Sequence, residues 1–232
     1  GTEFSCVIEN EFTVSAISDL KIIKGANISA EAIYRLYSQH TVGSVRTAED
    51  IRKFMSIPQS TIYTAWDKSG QLVAYAVEGK GADLANYIHE WGGGVSKILA
   101  LLSHIRSEKK QSITIILPRH SANLRKNLAE IPGVVVNEGF LGMIKIVDES
   151  AFFAKTKKAA RQNGLQEFIL ERQGSEIIFG ISGDLLVIKD QKDLVTLLFG
   201  SLGEIPHVNK NSNDKLKKLF PLPLWFWGWD SV

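Results

Sequence analysis

The stretch from Ile22 to Asp148 constrains the fold most, because helix-like and strand-like periodicities follow one another there in a fixed order. Apolar residues at helical spacing predict helices after Ser29 and Thr47, whose side chains are placed to cap a first turn. Three strands, a helix, a strand, a helix and two strands around Gly139 follow. This order predicts a mixed α/β domain. The predicted segments are 28–40, 47–57, 60–66, 71–79, 85–91, 95–109, 112–118, 121–131 and 134–148.

Residues 149–232 have a different pattern and predict a second, smaller α+β domain. A basic-faced helix closed by Gly164 precedes three short strands that turn at Gly174 and Gly183. A helix over 190–203, a polar linker and a short helix come next, and the chain closes with PLPLWFWGWDSV. An aromatic tail of this kind would be a sticky patch in water, so we expect it to be docked on the protein.

Composition narrows the classes of function. The chain has 232 residues, with 27 basic and 25 acidic side chains and a net charge of +2. This balance gives no electrostatic case for binding nucleic acid or an anionic membrane. No run approaches the roughly 18 apolar residues of a membrane span. The single cysteine, Cys6, cannot form an internal disulfide and has no companions at metal-ligand spacing, so we expect a cytoplasmic protein without a metal site.

The order of elements from Ile22 to Asp148 resembles the GCN5-related N-acetyltransferase (GNAT) superfamily. That fold has two early helices, a three-strand meander, a helix on the cofactor side, a strand, a helix and a closing strand pair. The segment VVVNEGFLGMIKIVD, with Gly139–Phe140, resembles the late strands where such proteins often read Gly-Phe. The resemblance implies a GNAT-like mixed sheet flanked by helices and an N-acyltransferase that uses acetyl-CoA.

The order of domains is similar to that of the two-GNAT acetyltransferases of the enhanced-intracellular-survival type. Those proteins carry a catalytic GNAT domain, a second GNAT-like domain without the cofactor loop, and a small sterol-carrier-like domain, which residues 149–232 resemble. Residues 1–20 resemble the final strand of a preceding GNAT domain, which would leave 21–148 as the second GNAT-like domain. The chain would then be the C-terminal part of a longer protein. The alternative is a few non-native residues followed by a native edge strand.

A corner of three glycines, Gly92, Gly93 and Gly94, separates a predicted strand from a predicted helix. GNAT enzymes hold the pyrophosphate of acetyl-CoA on backbone N–H groups at such a corner, where the helix N-terminus attracts negative charge. Their usual signature is Gln/Arg-x-x-Gly-x-Gly/Ala, and His89 here replaces the Gln or Arg. Lys97 is the nearest cation that could meet a phosphate. The corner is either a cofactor cradle or a tight turn, and the missing basic loop favours the turn.

Glu90 is the strongest candidate for a catalytic base in the GNAT-like region. A carboxylate on the third strand of the meander could accept a proton from an amine through water. The alternatives for Glu90 are a surface carboxylate or a salt bridge. Tyr87, His89 and His120 are weaker candidates on the same domain.

The C-terminal carboxylate of Val232 is a second candidate, and it rests on the resemblance alone. In the two-GNAT acetyltransferases the chain terminus reaches the active site of the catalytic domain as a base. Val232, with Asp230 beside it, would then serve an upstream domain. The alternative is a tail that only fills a hydrophobic site.

Two classes of function therefore compete. In the first, the chain supplies non-catalytic parts of a GNAT-type N-acyltransferase whose acceptor is an amine-bearing small molecule or peptide. The protein could then also assemble as a homo-oligomer. In the second, it is a binding module for an apolar or acyl ligand. A third reading is a single-domain acetyltransferase that uses the corner at Gly92–Gly94.

Overall fold

The computed structural model of the protein describes residues 2–14, 18–25, 28–140, 142, 144–200 and 209–230. The chain forms two compact units. The large unit comprises Thr2–Phe140 together with Trp225–Val232, and the small unit is Leu141–Leu224. The described part of the C-terminal tail therefore belongs to the large unit. The functional division into residues 1–20, 21–148 and 149–232 stays a prediction.

A seven-stranded mixed sheet lies at the centre of the large unit. Its strands are β1 (Thr2–Ile8), β2 (Lys21–Lys24), β3 (Thr61–Trp66), β4 (Leu72–Lys80), β5 (Asp83–Gly93), β6 (Ile113–Pro118) and β7 (Val134–Phe140). Their order across the sheet is β2-β3-β4-β5-β6-β1-β7. All neighbours are antiparallel except β5 and β6, which are parallel.

Four helices flank this sheet, and local sequence signals explain where the first two begin. They are α1 (Ala30–Tyr37), α2 (Ala48–Phe54), α3 (Val95–Lys109) and α4 (Ala122–Ala129). The hydroxyl of Ser29 accepts a hydrogen bond from the backbone N–H of Ala32 at 3.2 Å. Thr47 forms a capping box with Asp50, so both predicted caps are confirmed. Apolar residues of α1 and α2 pack with β3 and β4 in one hydrophobic cluster.

The end of the sheet differs from the sequence prediction. We expected two strands within 134–148, but β7 accounts for the first and the described residues between 142 and 148 form no strand. The partner of β7 is instead β1, which pairs with it from Thr2↔Phe140 to Ile8↔Val134. The strand that pairs with β7 thus comes from the beginning of the chain and not from the residues that follow β7.

The small unit is an α+β arrangement around its own core. Its elements are α5 (Glu149–Gln162), β8 (Phe168–Gln173), β9 (Glu176–Ile181), β10 (Asp184–Ile188), α6 (Gln191–Phe199) and α7 (Lys210–Leu216). The three strands form an antiparallel meander. Gly174 and Gly183 have φ of +60° and +85°, which L side chains rarely adopt, so both predicted turns are confirmed.

The predicted fold class is confirmed, since a mixed sheet flanked by helices is followed by a small α+β unit. Among the described helices, none combines the length and the hydropathy that crossing a membrane would require.

Candidate functional site

Glu90 lies at the centre of the large unit because β5 loses its regular alternation just before it. Val77 of β4 pairs with Glu90 whereas the next residue, Glu78, pairs with Ile88, so His89 is the extra residue of a β-bulge. A bulge re-aims the side chains of its strand. Ile88, His89 and Glu90 are consequently buried in succession, and Glu90 has no exposed surface.

The guanidinium of Arg46 lies between two carboxylates, those of Glu90 and Asp230, and pairs with both. Arg46, directly before the cap of α2, donates from Nη1 to Oε1 of Glu90 at 2.9 Å and from Nη2 to Oε2 at 3.1 Å. Its Nε and Nη2 also donate to Oδ1 and Oδ2 of Asp230 at 2.9 and 2.7 Å. The Tyr75 hydroxyl donates to Oε1 of Glu90 at 3.2 Å, and the backbone N–H of Trp229 to Oε2 at 3.3 Å. Both oxygens of Glu90 are thus engaged by protein groups, and the salt bridge expected as its alternative role is present.

The charges of this cluster are largely separated from water, because the side chains of Arg46, Glu90 and Asp230 are 2%, 0% and 13% exposed. Burial raises the pKa of Glu90 above its ordinary value, although the Arg46 guanidinium acts in the opposite direction. Burial alone would lower the pKa of Arg46, but hydrogen bonding to Asp230 and the charge of Glu90 outweigh it, so the pKa is raised. Nearby, Nζ of Lys80 donates to the carbonyl of Gly228 at 3.0 Å. Arg46, Glu90 and Asp230 therefore form a buried ionic cluster, and Lys80 binds the tail backbone beside it.

The tail brings Asp230 to this cluster and seats its tryptophans in the same region. Trp225 and Trp227 are buried, whereas Phe226 between them is 52 % exposed. The ring of Trp227 lies 4.0 Å from the ring of His40 and 5.0 Å from the ring of Trp91, centroid to centroid. Side chains at alternate positions of the tail thus contact the unit, as in an extended peptide bound to a protein surface.

Trp229 and Gly228 complete the seating of the tail. The Trp229 ring stacks on the rings of Phe54 and Tyr75, at centroid distances of 5.9 and 6.2 Å. Gly228 lies against the His89 ring so closely that any Cβ would collide with it. Position 228 therefore requires glycine.

The glycine corner is built mainly by packing. A Cβ on Gly92 would lie 2.5 Å from Cε1 of Tyr75, and one on Gly93 would lie 2.5 Å from the carbonyl oxygen of Val73. Gly93 also has a φ of +126°, which favours glycine. Gly94 differs, because it is the N-cap of α3 with a φ of −68° and open space where a Cβ would be. Two of the three glycines are therefore explained without any ligand.

A cavity of about 400 Å³ adjoins Gly94, between the N-terminal ends of α3 and α4. Its lining, all within the described residues, includes no lysine or arginine. Burial lowers the pKa of His40 to about 4 and also lowers the pKa of His120, so both rings in the wall are neutral at pH 7. Lys97 lies outside the lining, and its backbone N–H already donates to the carbonyl of Gly94 at 2.9 Å. The corner therefore offers a phosphate the N-terminal end of α3 but no cationic side chain among the lining residues.

The edge of β5 between the corner and Glu90 is occupied by side chains. β5 and β6 pair only at Tyr87↔Thr114 and Ile88↔Ile115, so the rest of β5 has no ladder partner on that side. The indole N–H of Trp91 crosses this gap and donates to the carbonyl of Ile116 at 3.1 Å. Nε2 of His40 bonds to the carbonyl of Trp91 at 2.8 Å. The Trp91 side chain thus spans the gap between β5 and β6, and the carbonyl of Trp91 at the edge of the gap is already hydrogen-bonded to His40.

The remaining candidates lie apart from this cluster or outside the described residues. Val232 is in the second group, so the position of its carboxylate is not described, although Asp230 two residues before it binds Arg46. Tyr87 is exposed on β5, and His120 follows β6 in the wall of the cavity. No three His, Cys, Asp or Glu side chains of the described ranges are grouped as metal ligands.

Several solved structures show partial likeness to this chain, and two of them illustrate its extent. No family model matches the sequence, and no curated protein matches it. A conserved Enterococcus faecalis V583 protein, described as a probable N-acyltransferase, is 16% identical with a TM-score of 0.42. A Drosophila protein is 12% identical with a TM-score of 0.38. Each comparison covers 59% of this chain, which spans 37% of the Enterococcus protein and 49% of the Drosophila protein.

Proposed function

We propose that this chain is part of a GNAT-type, acyl-CoA-dependent N-acyltransferase, to which it contributes a GNAT-like domain without catalytic function and the C-terminal domain. The strand order of the large unit, with its one parallel pair followed along β5 by a glycine corner and α3, supports the first assignment. The helix, three-strand meander and two helices of the small unit support a sterol-carrier-like domain. Acetyl-CoA and an amine-bearing small molecule or peptide would then react in another domain of the protein.

The filled edge of β5 is the observation that carries the non-catalytic assignment. A thioester whose phosphates lie at Gly94 has to reach Glu90 to react there, and the β4 side of β5 is closed by strand pairing. On the β6 side, the side chains of Trp91 and His40 lie between the corner and Glu90, and each makes a hydrogen bond there. With the tail seated, Glu90 also has no free oxygen to accept a proton from an amine. Catalysis by Glu90 would require both obstacles to move.

The carboxylate of Val232 remains the candidate base for the upstream catalytic domain in this proposal. The tail supports that role only in part, because its residues up to Asp230 are held in the large unit. A protein of full length without Val232 should lose most of its acyltransferase activity while keeping its melting temperature. Unchanged activity would exclude this role of the terminus.

Calorimetric titration of acetyl-CoA into this chain tests the non-catalytic assignment. We expect no saturable heat at millimolar cofactor, and the same result for the Gly94→Asp variant, which places a carboxylate at the N-cap of α3. Saturable binding that Gly94→Asp abolishes would instead identify the corner as a working cradle. The coding sequence upstream of Gly1 provides the complementary test, because the proposal requires a Gln/Arg-x-x-Gly-x-Gly loop there.

A binding module for an acyl ligand is the second candidate, and a cavity in the small unit favours it. This cavity of about 430 Å³ has Leu165, Phe168 and Ile181 in its wall together with Lys215 and Lys218, and Glu167 also lines it. Apolar side chains beside two cations suit an acyl chain with a carboxylate head. Binding of a fluorescent fatty acid that is lost in Lys215→Glu/Lys218→Glu would support this function, and no binding by the native chain would exclude it.

A further inference from the structure

We propose that the large unit contains a peptide-binding groove whose ligand is the chain's own C-terminal segment, Trp225–Asp230, held there as an exchangeable peptide. We call this site the tail groove and define it by Val42, Arg46, Lys80 and Trp91. It is independent of the acyltransferase proposal, because it concerns what binds the groove and not what reacts in any active site.

The chain connectivity makes the tail separable from the unit that holds it. All seven strands and all four flanking helices of the large unit lie within Thr2–Phe140. The tail is joined to them only through the small unit, Leu141–Leu224. Its residues add no strand to the described sheets and form only a short 3-10 turn, Gly228–Asp230. The tail can therefore leave without breaking a strand pair or a flanking helix.

The groove recognises the backbone of the tail as well as its side chains. Lys80 donates to the carbonyl of Gly228 at 3.0 Å, and the carbonyl of Val42 accepts from the indole N–H of Trp227 at 3.2 Å. Glu90 accepts from the backbone N–H of Trp229 at 3.3 Å. These contacts fix the register of the tail in the groove, since each reaches a different residue of the tail.

The carboxylate of Asp230 is the most specific anchor. The Arg46 guanidinium donates to both of its oxygens, a bidentate geometry suited to carboxylates. Arg46 is held in this orientation by Glu90, so it is preorganised for a carboxylate whether or not the tail is present. Buried pockets for Trp227 and Trp229 precede this anchor. The ligand class is thus a peptide with alternate tryptophans followed by an acidic residue, in which the segment Gly228–Asp230 adopts a 3-10 turn.

Unsatisfied polar atoms indicate that the tail is held less perfectly than a core segment. Five buried side-chain polar atoms lack a hydrogen-bond partner within the described residues, and three of them lie in the tail or directly beneath it. They are the indole N–H groups of Trp225 and Trp229 and Nδ1 of His89, on which Gly228 rests. A buried polar group without a partner destabilises the state that buries it. Release of the tail would hydrate all three atoms, which favours exchange.

Binding of a labelled peptide to the intact chain tests the proposal. The probe is a fluorescent peptide of residues 224–232, followed by anisotropy. In the native chain the tethered tail competes at an effective concentration of about 1 mM, so the probe should bind weakly. The Trp227→Ala chain loses its fully buried anchor, and we expect its apparent affinity for the probe to be about a hundredfold higher. The Phe226→Ala chain is the matched control, because that ring is exposed, and it should bind the probe as weakly as the native chain.

Variant probes test the ligand class without altering the protein. A probe with Asp230→Asn should bind the Trp227→Ala chain at least tenfold more weakly, and a probe with Phe226→Ala should bind unchanged. A folded Trp227→Ala chain that does not bind the probe would overturn the proposal, as would equal binding of all probes. The milder Asp230→Asn chain provides the second variant. If neither chain folds, the tail is an inseparable part of the core and the proposal is wrong.

Discussion

Replacing Arg46 by methionine should destabilise the large unit severely. The side chain of Arg46 is 2% exposed, and its partners Glu90 and Asp230 are 0% and 13% exposed. Methionine keeps most of the volume but removes the cation that bridges the two carboxylates. Glu90 would keep the Tyr75 hydroxyl and one backbone N–H as partners, without a neutralising charge.

The expected loss is about 3–5 kcal/mol in the free energy of unfolding at pH 8, the usual cost of breaking a buried ion pair by removing one partner. The loss should shrink as the pH falls. Burial already raises the pKa of Glu90, and without the guanidinium the hydrogen bond from the Trp229 backbone N–H is the main effect left to oppose it. The folded variant then binds a proton more readily than the unfolded chain, so its stability is full below the ordinary pKa of a carboxyl and is lost as pH rises through the raised value.

Urea unfolding at pH 5 and pH 8 measures both effects. Arg52→Met is the control, because Arg52 pairs with Glu31 and Glu49 on the exposed surface and should matter little. The triple variant Arg46→Met/Glu90→Gln/Asp230→Asn should recover much of the lost stability. Equal losses for Arg46→Met and Arg52→Met, or a loss that grows on acidification, would refute the reasoning.

Three further predictions concern single sites. Gly93→Ala should lower the free energy of unfolding by more than about 1 kcal/mol, because of its positive φ and the nearby carbonyl of Val73, whereas Gly94→Ala should be close to neutral in thermal unfolding. Thr47→Ala removes the capping box of α2 and should cost about 1 kcal/mol in urea unfolding. Cys6 is fully buried and burial raises the pKa of its thiol to about 11, so a thiol reagent at pH 8 should modify it only in denaturant.

Local signals in the sequence account for much of the fold. The caps at Ser29 and Thr47 depend on residues within one helical turn, and the turns at Gly174 and Gly183 depend on the φ of a single glycine. Such features can be predicted because nothing distant has to be known. The placement of β1 beside β7 depends on pairing between the two ends of a long segment, which no local pattern encodes.

The candidate site shows the same division. Glu90 and Asp230 were both singled out in the sequence, but not as partners, because 139 positions separate Glu90 from its nearest tail contact. Arg46 carries no motif and stands beside a helix cap, so its role emerges only from the fold. The bulge at His89, which turns Glu90 inward, adds one residue to a strand whose apolar pattern looks regular. Paired carboxylates around a buried arginine are thus a tertiary property.

The seating of the tail also determines the optical properties of the chain. Four of the five tryptophans, Trp91, Trp225, Trp227 and Trp229, are buried, and the fifth, Trp66, is only partly so. Trp227 lies within 6 Å of both Trp91 and Trp225, ring centroid to ring centroid. Indoles at such separations couple electronically, so their near-ultraviolet circular dichroism should be dominated by this cluster. Release of the tail would weaken this near-ultraviolet circular dichroism signal and move the tryptophan fluorescence emission to longer wavelength. The native chain therefore reports the position of its tail without an added label.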